Sequence, residues 1–163
     1  YNPSGKLPIT FYKDTTQLRD FEDYSMTNRT YRYLTDKPLF EFGHGLSYTT
    51  FKYGNIALSK NLEGGVSASM RVTNTGKVAG EEVVQLYIRD LVGKVVRPVK
   101  ELKGFQKIFL KKGESKTVSF NITPEDLKFY DDELNFDWES GEFDIMIGTN
   151  SAQVKTKRVN WEK

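Results

Sequence analysis

Two groups of polar side chains in this chain are of the types that carry out catalysis, and the first is centred on the only histidine. His44 lies between two glycines, and Ser47 follows it closely. Together with an aspartate, such a pair could form a nucleophilic triad. However, Ser47 lacks the Gly-x-Ser-x-Gly setting that exposes a nucleophile at the top of a sheet. We therefore expect the His44 imidazole to hydrogen-bond the backbone within its own turn.

The second group consists of adjacent carboxylates, which glycoside hydrolysis uses in pairs. One carboxyl group protonates the leaving oxygen and the other attacks the sugar, and the two lie roughly 5 Å apart in retaining enzymes. The candidates here are Glu125-Asp126 and Asp131-Asp132-Glu133, and both sets fall in polar turns. Exposed turn carboxylates do not provide the raised-pKa acid that this chemistry requires. We predict no catalytic residue, no metal site and no cofactor in the chain.

Aromatic side chains form a third candidate set, since sugar rings stack on exposed aromatic faces. They are concentrated at residues 29–51, where apolar positions follow neither the helix period nor the strand period. The candidates for sugar contact are Tyr31, Tyr33, Phe40, Phe42 and Tyr48, with Trp138 and Trp161 as a second platform. The alternative is packing in a domain contact or a core, which large rings also dominate. The sequence favours packing and leaves the sugar contact open.

The overall composition argues against several classes of protein. The 163 residues carry a net charge of +2, and charges of both signs are interspersed. The densest basic positions are Lys111-Lys112 and residues 155–158, whereas a nucleic-acid-binding protein usually presents a clear basic face. We therefore predict no nucleic-acid partner. No apolar run approaches the ~18 residues of a membrane helix, and the absence of cysteine rules out disulfides and thiolate metal sites.

Residues 54–163 have the pattern of a β domain. Apolar and polar residues alternate in short segments separated by turn signals. The predicted strands span residues 55–60, 65–73, 82–89, 100–110, 115–122, 134–138, 141–148 and 153–161. Thr123 and Pro124 are typical of a helix start, so a single helical turn is predicted at 123–127. Strands at this spacing predict an all-β fold, an immunoglobulin-like or fibronectin III-like antiparallel β-sandwich.

The first third of the chain is predicted to be an irregular N-terminal extension of this sandwich. Pro3, Pro8 and Pro38 bias the residues before them towards extended conformations. A short turn of helix at residues 16–20 is the most that we expect. Because its many rings cannot be buried by one amphipathic element, the extension should pack against something larger than itself.

Several motifs, taken in order, resemble the C-terminal region of the family 3 glycoside hydrolases, the β-glucosidase and β-xylosidase type enzymes. Residues 1–11, 21–24 and 29–51 are similar to the end of the family's α/β sandwich domain and the segment after it. Residues 95–107 resemble the fibronectin type III-like domain that ends many members. The resemblance implies a fragment in three parts: 1–28 as the remnant of the α/β sandwich domain, 29–53 as an aromatic-rich linker, and 54–163 as the fibronectin type III-like sandwich.

The resemblance also implies a function for the complete enzyme and a role for this chain within it. Family members of this type hydrolyse terminal β-linked glucose or xylose with retention, and their two catalytic carboxylates belong to regions before these motifs. The chain is therefore expected to be inactive alone and to serve as a non-catalytic scaffold for preceding domains of the same polypeptide. The residues expected at the linker-facing end of the sandwich are Glu101, Lys103, Gly104 and Phe105.

Other interpretations remain open at this point. A carbohydrate-binding module is the main alternative, with a β-linked oligosaccharide as its ligand. A cell-adhesion module would explain the β domain but not residues 1–51. Linker rings left exposed would promote self-association of the chain. For the parent protein, a secreted or periplasmic bacterial location is favoured, with its targeting signal upstream of these residues.

Overall fold

The computed structural model describes residues 1–61 and 64–163. Within them the regular elements are mostly strands, and no helix is both long and apolar enough to cross a membrane. Helical structure comprises α1 (Thr30–Tyr33) and 3₁₀ turns at Thr15–Gln17 and Pro124–Leu127. The strands are β1 (Phe51–Lys60), β2 (Val66–Asn74), β3 (Gly80–Asp90), β4 (Glu101–Leu110), β5 (Ser115–Ile122), β6 (Phe129–Tyr130), β7 (Phe136–Asp137), β8 (Gly141–Gly148) and β9 (Val154–Trp161).

Two antiparallel sheets pack face to face, which confirms the predicted β-sandwich. One sheet has the order β1-β2-β5 and the other has the order β4-β3-β8-β9, while β6 and β7 form a separate two-stranded ribbon. The predicted turn at 123–127 is the 3₁₀ turn, which begins with a capping box between Thr123 and Asp126. The all-β fold class with an irregular N-terminal extension is therefore correct.

Strand β6 was not predicted, and β7 covers only Phe136–Asp137 of the predicted 134–138. Two further differences have a clear physical reason. Strand β1 begins at Phe51 instead of residue 55, because a register shift between Tyr53 and Ile56 interrupts the alternation that marks a strand in the sequence. The single turn α1 lies inside a segment that was expected to be irregular. Its closing bond runs from the Leu34 N–H to the Thr30 carbonyl, and one such bond leaves no periodic signal.

The core lies between the two sheets and is supplied by the sandwich alone. From β2 it receives Val66, Ala68, Met70 and Val72, as the alternation predicted. Further members are Val84, Leu86, Ile88, Phe143, Ile145, Ile147 and Trp161. Among the described residues, no member of the core cluster precedes Phe51. The hydrophobic core of the sandwich therefore needs nothing from the first 50 residues.

Strand β3 is buried on its outer face as well as its inner face. Its alternation points Gln85 and Tyr87 away from the core, yet Gln85 is 3% exposed and Tyr87 is fully buried. The cover on this outer face is supplied by residues 1–50, which we call the strap. The strap thus lies along the outside of the four-stranded sheet.

Asn74, at the end of β2, fixes the point where the strap enters the sandwich. Its carboxamide oxygen accepts hydrogen bonds from the Thr49 hydroxyl at 2.7 Å and the Gly76 N–H at 3.0 Å. Its NH₂ group donates to the carbonyls of Val78 and Leu110 at 2.8 and 3.1 Å. Asn74 and Leu110 are fully buried and Thr49 is 7% exposed, so loss of the carboxamide would take hydrogen bonds from groups that water barely reaches.

We predict that Asn74→Leu, which keeps the side-chain size, lowers the free energy of unfolding by about 2–4 kcal/mol. The measurement is urea unfolding followed by circular dichroism. Asn55→Leu is the control, because Asn55 is exposed on β1, and we expect it to change stability by under about 0.5 kcal/mol. Equal effects of the two substitutions would contradict the role given to Asn74.

Candidate functional site

Three aromatic rings in mutual contact fix the middle of the strap to the outer face of the sandwich. Tyr31 and Phe42 are stacked, with ring centroids 4.1 Å apart and planes at 20°. Both meet the edge of Tyr87 in T-shaped contacts, at 6.0 and 6.5 Å. Burial, together with the nearby Tyr31, raises the pKa of Tyr87 above its ordinary value. We call Tyr31, Phe42 and Tyr87 the aromatic clamp.

Gln85 adds a polar contact next to the clamp. Its NH₂ group donates to the Thr149 carbonyl at 2.7 Å and to the Gly43 carbonyl at 3.2 Å, while its oxygen accepts from the Tyr87 hydroxyl. Gly43 has a φ of +79°, and a Cβ there would lie 2.1 Å from the Gln85 oxygen. The close approach therefore requires glycine both for the backbone conformation and for the space.

Backbone contacts and one ion pair hold α1 to the start of β4. The Leu102 N–H donates to the Tyr31 hydroxyl at 3.1 Å, and the Val99 N–H donates to the Arg32 carbonyl at 2.7 Å. The Arg32 guanidinium also lies 3.3 Å from the Glu101 carboxylate. Glu101 thus lies at the linker-facing end of the sandwich, as expected.

The residues that follow Glu101 in β4 make different contacts. The ammonium group of Lys103 pairs with Glu101 at 3.1 Å. Gly104 faces the core, since a Cβ there would lie 3.4 Å from the Phe120 ring. Phe105 is largely exposed, next to a groove that Leu7 and Phe42 also line. Gly104 and Phe105 are consecutive residues of β4, so the pleat of the strand directs them to opposite faces of the sheet.

A buried polar cluster anchors the beginning of the strap. The Lys6 ammonium lies 3.2 Å from Glu82 Oε1 and donates to Thr149 Oγ1 at 2.8 Å. Glu82 Oε1 also accepts from the Tyr53 hydroxyl at 2.7 Å and the Thr149 hydroxyl at 2.6 Å. The side chains of Lys6 and Glu82 are 14% and 5% exposed. Burial first, and then the Glu82 carboxylate, raises the pKa of Tyr53.

The remaining linker rings are not part of the clamp. Phe40 packs against Phe11, at 6.1 Å between centroids, and against His44 at 4.9 Å. Tyr48 is 77% exposed, and Tyr33, the last residue of α1, is half-buried. The structure therefore brings Tyr31 and Phe42 together and leaves the other candidates for sugar contact at separate places.

Trp161 packs in the core, which is the alternative that the sequence favoured over a sugar-binding platform. This side chain is 3% exposed, meets Phe143 edge-on at 6.2 Å, and donates its indole N–H to the Gly64 carbonyl at 2.6 Å. It is buried because its position in β9 faces the core. Trp138 is half-buried against the same core, with the Lys163 ammonium 5.9 Å from its ring centroid.

The prediction that the His44 imidazole hydrogen-bonds the backbone of its own turn is wrong. The His44 imidazole lies against Phe40, and its Nδ1 is 3.9 Å from the Glu41 carboxylate instead of bonding the backbone of its own turn. The Ser47 hydroxyl exchanges hydrogen bonds with the Asn2 carboxamide at 3.1 and 3.3 Å. His44 and Ser47 therefore serve separate local contacts and do not form a nucleophile–base pair.

The turn carboxylates have structural partners. Asp126 accepts hydrogen bonds from the backbone and hydroxyl of Thr123, and Glu125 pairs with Lys128 at 2.7 Å. Hydrogen bonds from Asn135 hold the pKa of Asp131 below its ordinary value, which is the opposite of what a general acid needs. Over residues 1–61 and 64–163, no group of three or more histidine, aspartate or glutamate side chains could hold a metal ion.

Among the site residues that the sequence analysis did not identify are Gln85 and Glu82, besides Tyr87 of the clamp. Gln85 and Glu82 lie in β3, a strand rich in valine, leucine, tyrosine and isoleucine. A polar residue within such an apolar strand is a signal, because it must find a partner if both faces are covered. The sequence did not reveal that a distant segment would cover the second face.

Two family models match the chain in agreement with this architecture. Residues 1–48 match the glycosyl hydrolase family 3 C-terminal domain, and residues 82–151 match the fibronectin type III-like domain. The chain belongs to the family 3 glycoside hydrolases. It corresponds to their C-terminal region, with most of the strap in one family model and the centre of the sandwich in the other.

Curated relatives in the family share this region at high identity. The chain is 46% identical over 170 residues to a periplasmic β-glucosidase of Salmonella typhimurium, covering 95% of the chain and 22% of that protein. It is 44% identical over 161 residues to a xylan 1,4-β-xylosidase of Xylanibacter ruminicola, covering 98% of the chain and 18% of that protein. The chain thus spans about a fifth of the length of these relatives.

Solved structures of family enzymes have the same fold over this region. A β-glucosidase from Kluyveromyces marxianus superposes with a TM-score of 0.87 at 35% identity, over 99% of this chain and 21% of that one. A β-glucosidase from Listeria innocua in complex with glucose gives a TM-score of 0.82 at 34% identity, over 99% and 25%. The strap and the sandwich are both included in these superpositions.

We predict that Gly43→Ala weakens the attachment of the strap. The added Cβ meets Gln85 and the φ of +79° is unfavourable for alanine, so the free energy of unfolding should fall by about 1–3 kcal/mol. Gly5→Ala is the matched control, since a Cβ there meets nothing within 4 Å. Denaturant unfolding of both variants tests this, and equal stability of the two proteins would contradict it.

We predict that ionisation of Tyr53 destabilises the fold at alkaline pH. Its pKa is raised above 10.0 in the folded state, so its stabilising effect is complete below about pH 10 and is lost as pH rises further. Tyr53→Phe should therefore flatten the decline in unfolding free energy above about pH 10, by up to about 1.4 kcal/mol per pH unit. Tyr48→Phe is the exposed control, and an identical decline in all three proteins would contradict the assignment.

Proposed function

We propose that this chain is the non-catalytic scaffold module of a family 3 glycoside hydrolase. In this proposal residues 1–28 are the remnant of the α/β sandwich domain, 29–53 are the linker and 54–163 are the fibronectin type III-like sandwich. The observation that carries the proposal is the seating of Tyr31 and Phe42 on Tyr87. The sandwich holds the rings of the linker and so determines the path of the chain between the two domains.

The spacing of the contacts supports a scaffold role. The strap is fixed near its start by the Lys6–Glu82 pair, in its middle by the clamp, and at its end by the Thr49–Asn74 bond. Attachment at points so far apart in the sequence restricts the whole strap and not merely one loop. A segment held in this way is a rigid connection between whatever precedes it and the sandwich.

The opposite side of the strap offers a surface for preceding domains of the same polypeptide. Phe21 is 92% exposed and Tyr24 is 89% exposed, with Leu18 and Met26 partly exposed beside them. These residues fall within the part that matches the family 3 C-terminal domain. In the proposal they are covered by the remainder of that domain, and in isolation they form the patch through which the chain self-associates.

For the complete enzyme we propose hydrolysis of terminal β-glucosides or β-xylosides with retention of configuration. The support is that relatives named as a β-glucosidase and a β-xylosidase share more than 40% identity with this chain over nearly its full length. In the proposal the catalytic carboxylates lie in other domains, since the candidate turn carboxylates Glu125, Asp126 and Asp131 are engaged in local hydrogen bonds and an ion pair.

The decisive experiment changes the clamp within the full-length enzyme. Phe42→Ala should shorten the half-life of activity at elevated temperature and change kcat/KM on aryl β-glucosides and β-xylosides by less than about twofold. Phe109→Ala is the control, because Phe109 is an exposed ring on β4. A loss of kcat/KM of about tenfold or more with an unchanged half-life would reject the scaffold role.

Deletion of the strap tests whether the sandwich is an independent unit. Removing residues 1–50 should leave a cooperative thermal transition, because no described member of the core cluster precedes Phe51. The transition should move to lower temperature, since Gln85 and Tyr87 lose their cover. Differential scanning calorimetry of the shortened protein measures both quantities. Loss of the transition would show that the strap belongs to the folding core of the sandwich.

Sugar contact by the linker rings is the alternative function, and the exposure of Tyr48 favours it. This ring is available to a ligand, whereas Tyr31 and Phe42 stack on each other. In this alternative Tyr48 and Tyr33 contribute to capture of a β-linked oligosaccharide. Calorimetric titration with cello- and xylo-oligosaccharides would then give saturable heat that Tyr48→Ala abolishes.

A further inference from the structure

A pocket of about 510 Å³ lies where the strap meets one end of the sandwich, away from the aromatic clamp. It is lined by Glu82 of β3 and by three segments that are distant in the sequence: the strap near Ser4 and Lys6, the chain from Gly45 to Tyr53, and the β8–β9 hairpin from Ile147 to Lys155. Its volume is within the range of about 300–1,000 Å³ that is usual for small-molecule sites. We call it the strap pocket.

The buried part of the strap pocket presents one hydrogen-bond donor and one acceptor side by side. The Lys6 ammonium has three N–H groups and two acceptor groups, the Glu82 carboxylate and the Thr149 hydroxyl. Among the described residues, Glu82 Oε1 accepts three hydrogen bonds, whereas Oε2 has a single contact, with Lys6 at 3.4 Å. With one N–H of Lys6 shared between the two Glu82 oxygens and a second donated to Thr149, a third N–H and a lone pair of Oε2 remain for a ligand.

The more exposed lining of the strap pocket is half apolar and half hydroxyl-bearing. The Phe51 ring and the Val154 side chain are partly buried along its wall, and Ser47, Thr50 and Lys155 lie at its exposed edge. An aromatic wall next to polar groups suits a molecule that has one apolar face and a rim of hydroxyl groups. Each hydroxyl of such a molecule both donates and accepts.

The charges around the strap pocket argue for a neutral ligand. The Glu82 carboxylate would repel an anion, and the ammonium groups of Lys6 and Lys155 would repel a cation. A vicinal pair of hydroxyls can accept from Lys6 and donate to Glu82 Oε2 without adding charge to the site. This is the donor and acceptor pattern of a sugar ring.

We propose that the strap pocket binds a neutral monosaccharide or disaccharide, with Lys6 and Glu82 Oε2 contacting adjacent hydroxyls and Phe51 packing against the apolar face of the ring. The site is independent of the scaffold role and uses none of the linker rings Tyr31, Tyr33, Phe42 or Tyr48. Because strap and sandwich both line it, the bound sugar would also strengthen their attachment.

The test is a titration of the ¹⁵N-labelled chain with glucose, xylose and cellobiose, followed by two-dimensional NMR. We expect saturable shifts of the Gly45, Thr149 and Gln153 amides with a Kd of about 1–10 mM for at least one sugar. Lys155→Trp, which places a large ring at the edge of the pocket, should weaken binding at least about tenfold. Lys157→Trp is the matched control on the same strand, outside the pocket lining, and should bind as the unmodified chain does.

Three outcomes would overturn the proposal. The first is the absence of saturable shifts at these amides with all three sugars. The second is saturable binding whose shifts centre on Tyr48, Tyr31 or Trp138, or which Lys155→Trp leaves intact, because either places the sugar elsewhere. The third is a stronger response of the same amides to inorganic phosphate than to any sugar, since this would make the pocket an anion site.

Discussion

The burial of β3 on both faces is the constraint on which the rest of this structure depends. A sandwich needs only the inner face of each sheet to be covered, and Val84, Leu86 and Ile88 meet that need. The outer face carries Gln85 and Tyr87, whose polar groups and ring must be enclosed and satisfied together. The strap meets both needs: its rings enclose Tyr87, and its Gly43 carbonyl accepts a hydrogen bond from Gln85. The covered outer sheet is thus what joins the two parts of the chain.

The contacts that hold the strap differ in what they contribute. Stacked rings provide dispersion and apolar burial without strict direction. The Lys6–Glu82 pair is different, because the free energy lost when two charges leave water offsets much of the free energy gained from their attraction. A buried pair of this kind specifies a geometry more than it adds stability, and here Tyr53 and Thr149 complete its hydrogen bonds. The aromatic clamp therefore stabilises the attachment of the strap to the sandwich, and the polar cluster fixes where the start of the strap lies.

The same strap has two unlike sides. One side is fixed to the sandwich along its length, and the other presents Phe21 and Tyr24 almost fully exposed. The exposed rings belong to a loop that is internally braced, since the Arg29 guanidinium donates to the Ser25 carbonyl at 2.9 Å and the Asp23 carboxylate accepts from the Ser25 N–H at 2.8 Å. Because its hydrogen bonds fix the loop, the exposed rings are held in place for contact with another surface. This agrees with the scaffold role proposed for the chain.

The sequence by itself determined the fold class, the long strands of the two sheets and the position of the 3₁₀ turn at Pro124–Leu127, because alternation, turn residues and helix caps are local signals. It also indicated that the linker rings would pack. Only the tertiary structure decided what they pack on, that His44 faces Glu41 instead of its own backbone, and that Trp161 is enclosed in the core. The same is true of the strap pocket, whose lining combines Glu82 with three segments that lie far apart in the chain. Contacts between residues far apart in the sequence depend on how the strap and the sheets are arranged in space. Periodicity along the chain reports only local structure and does not predict that arrangement.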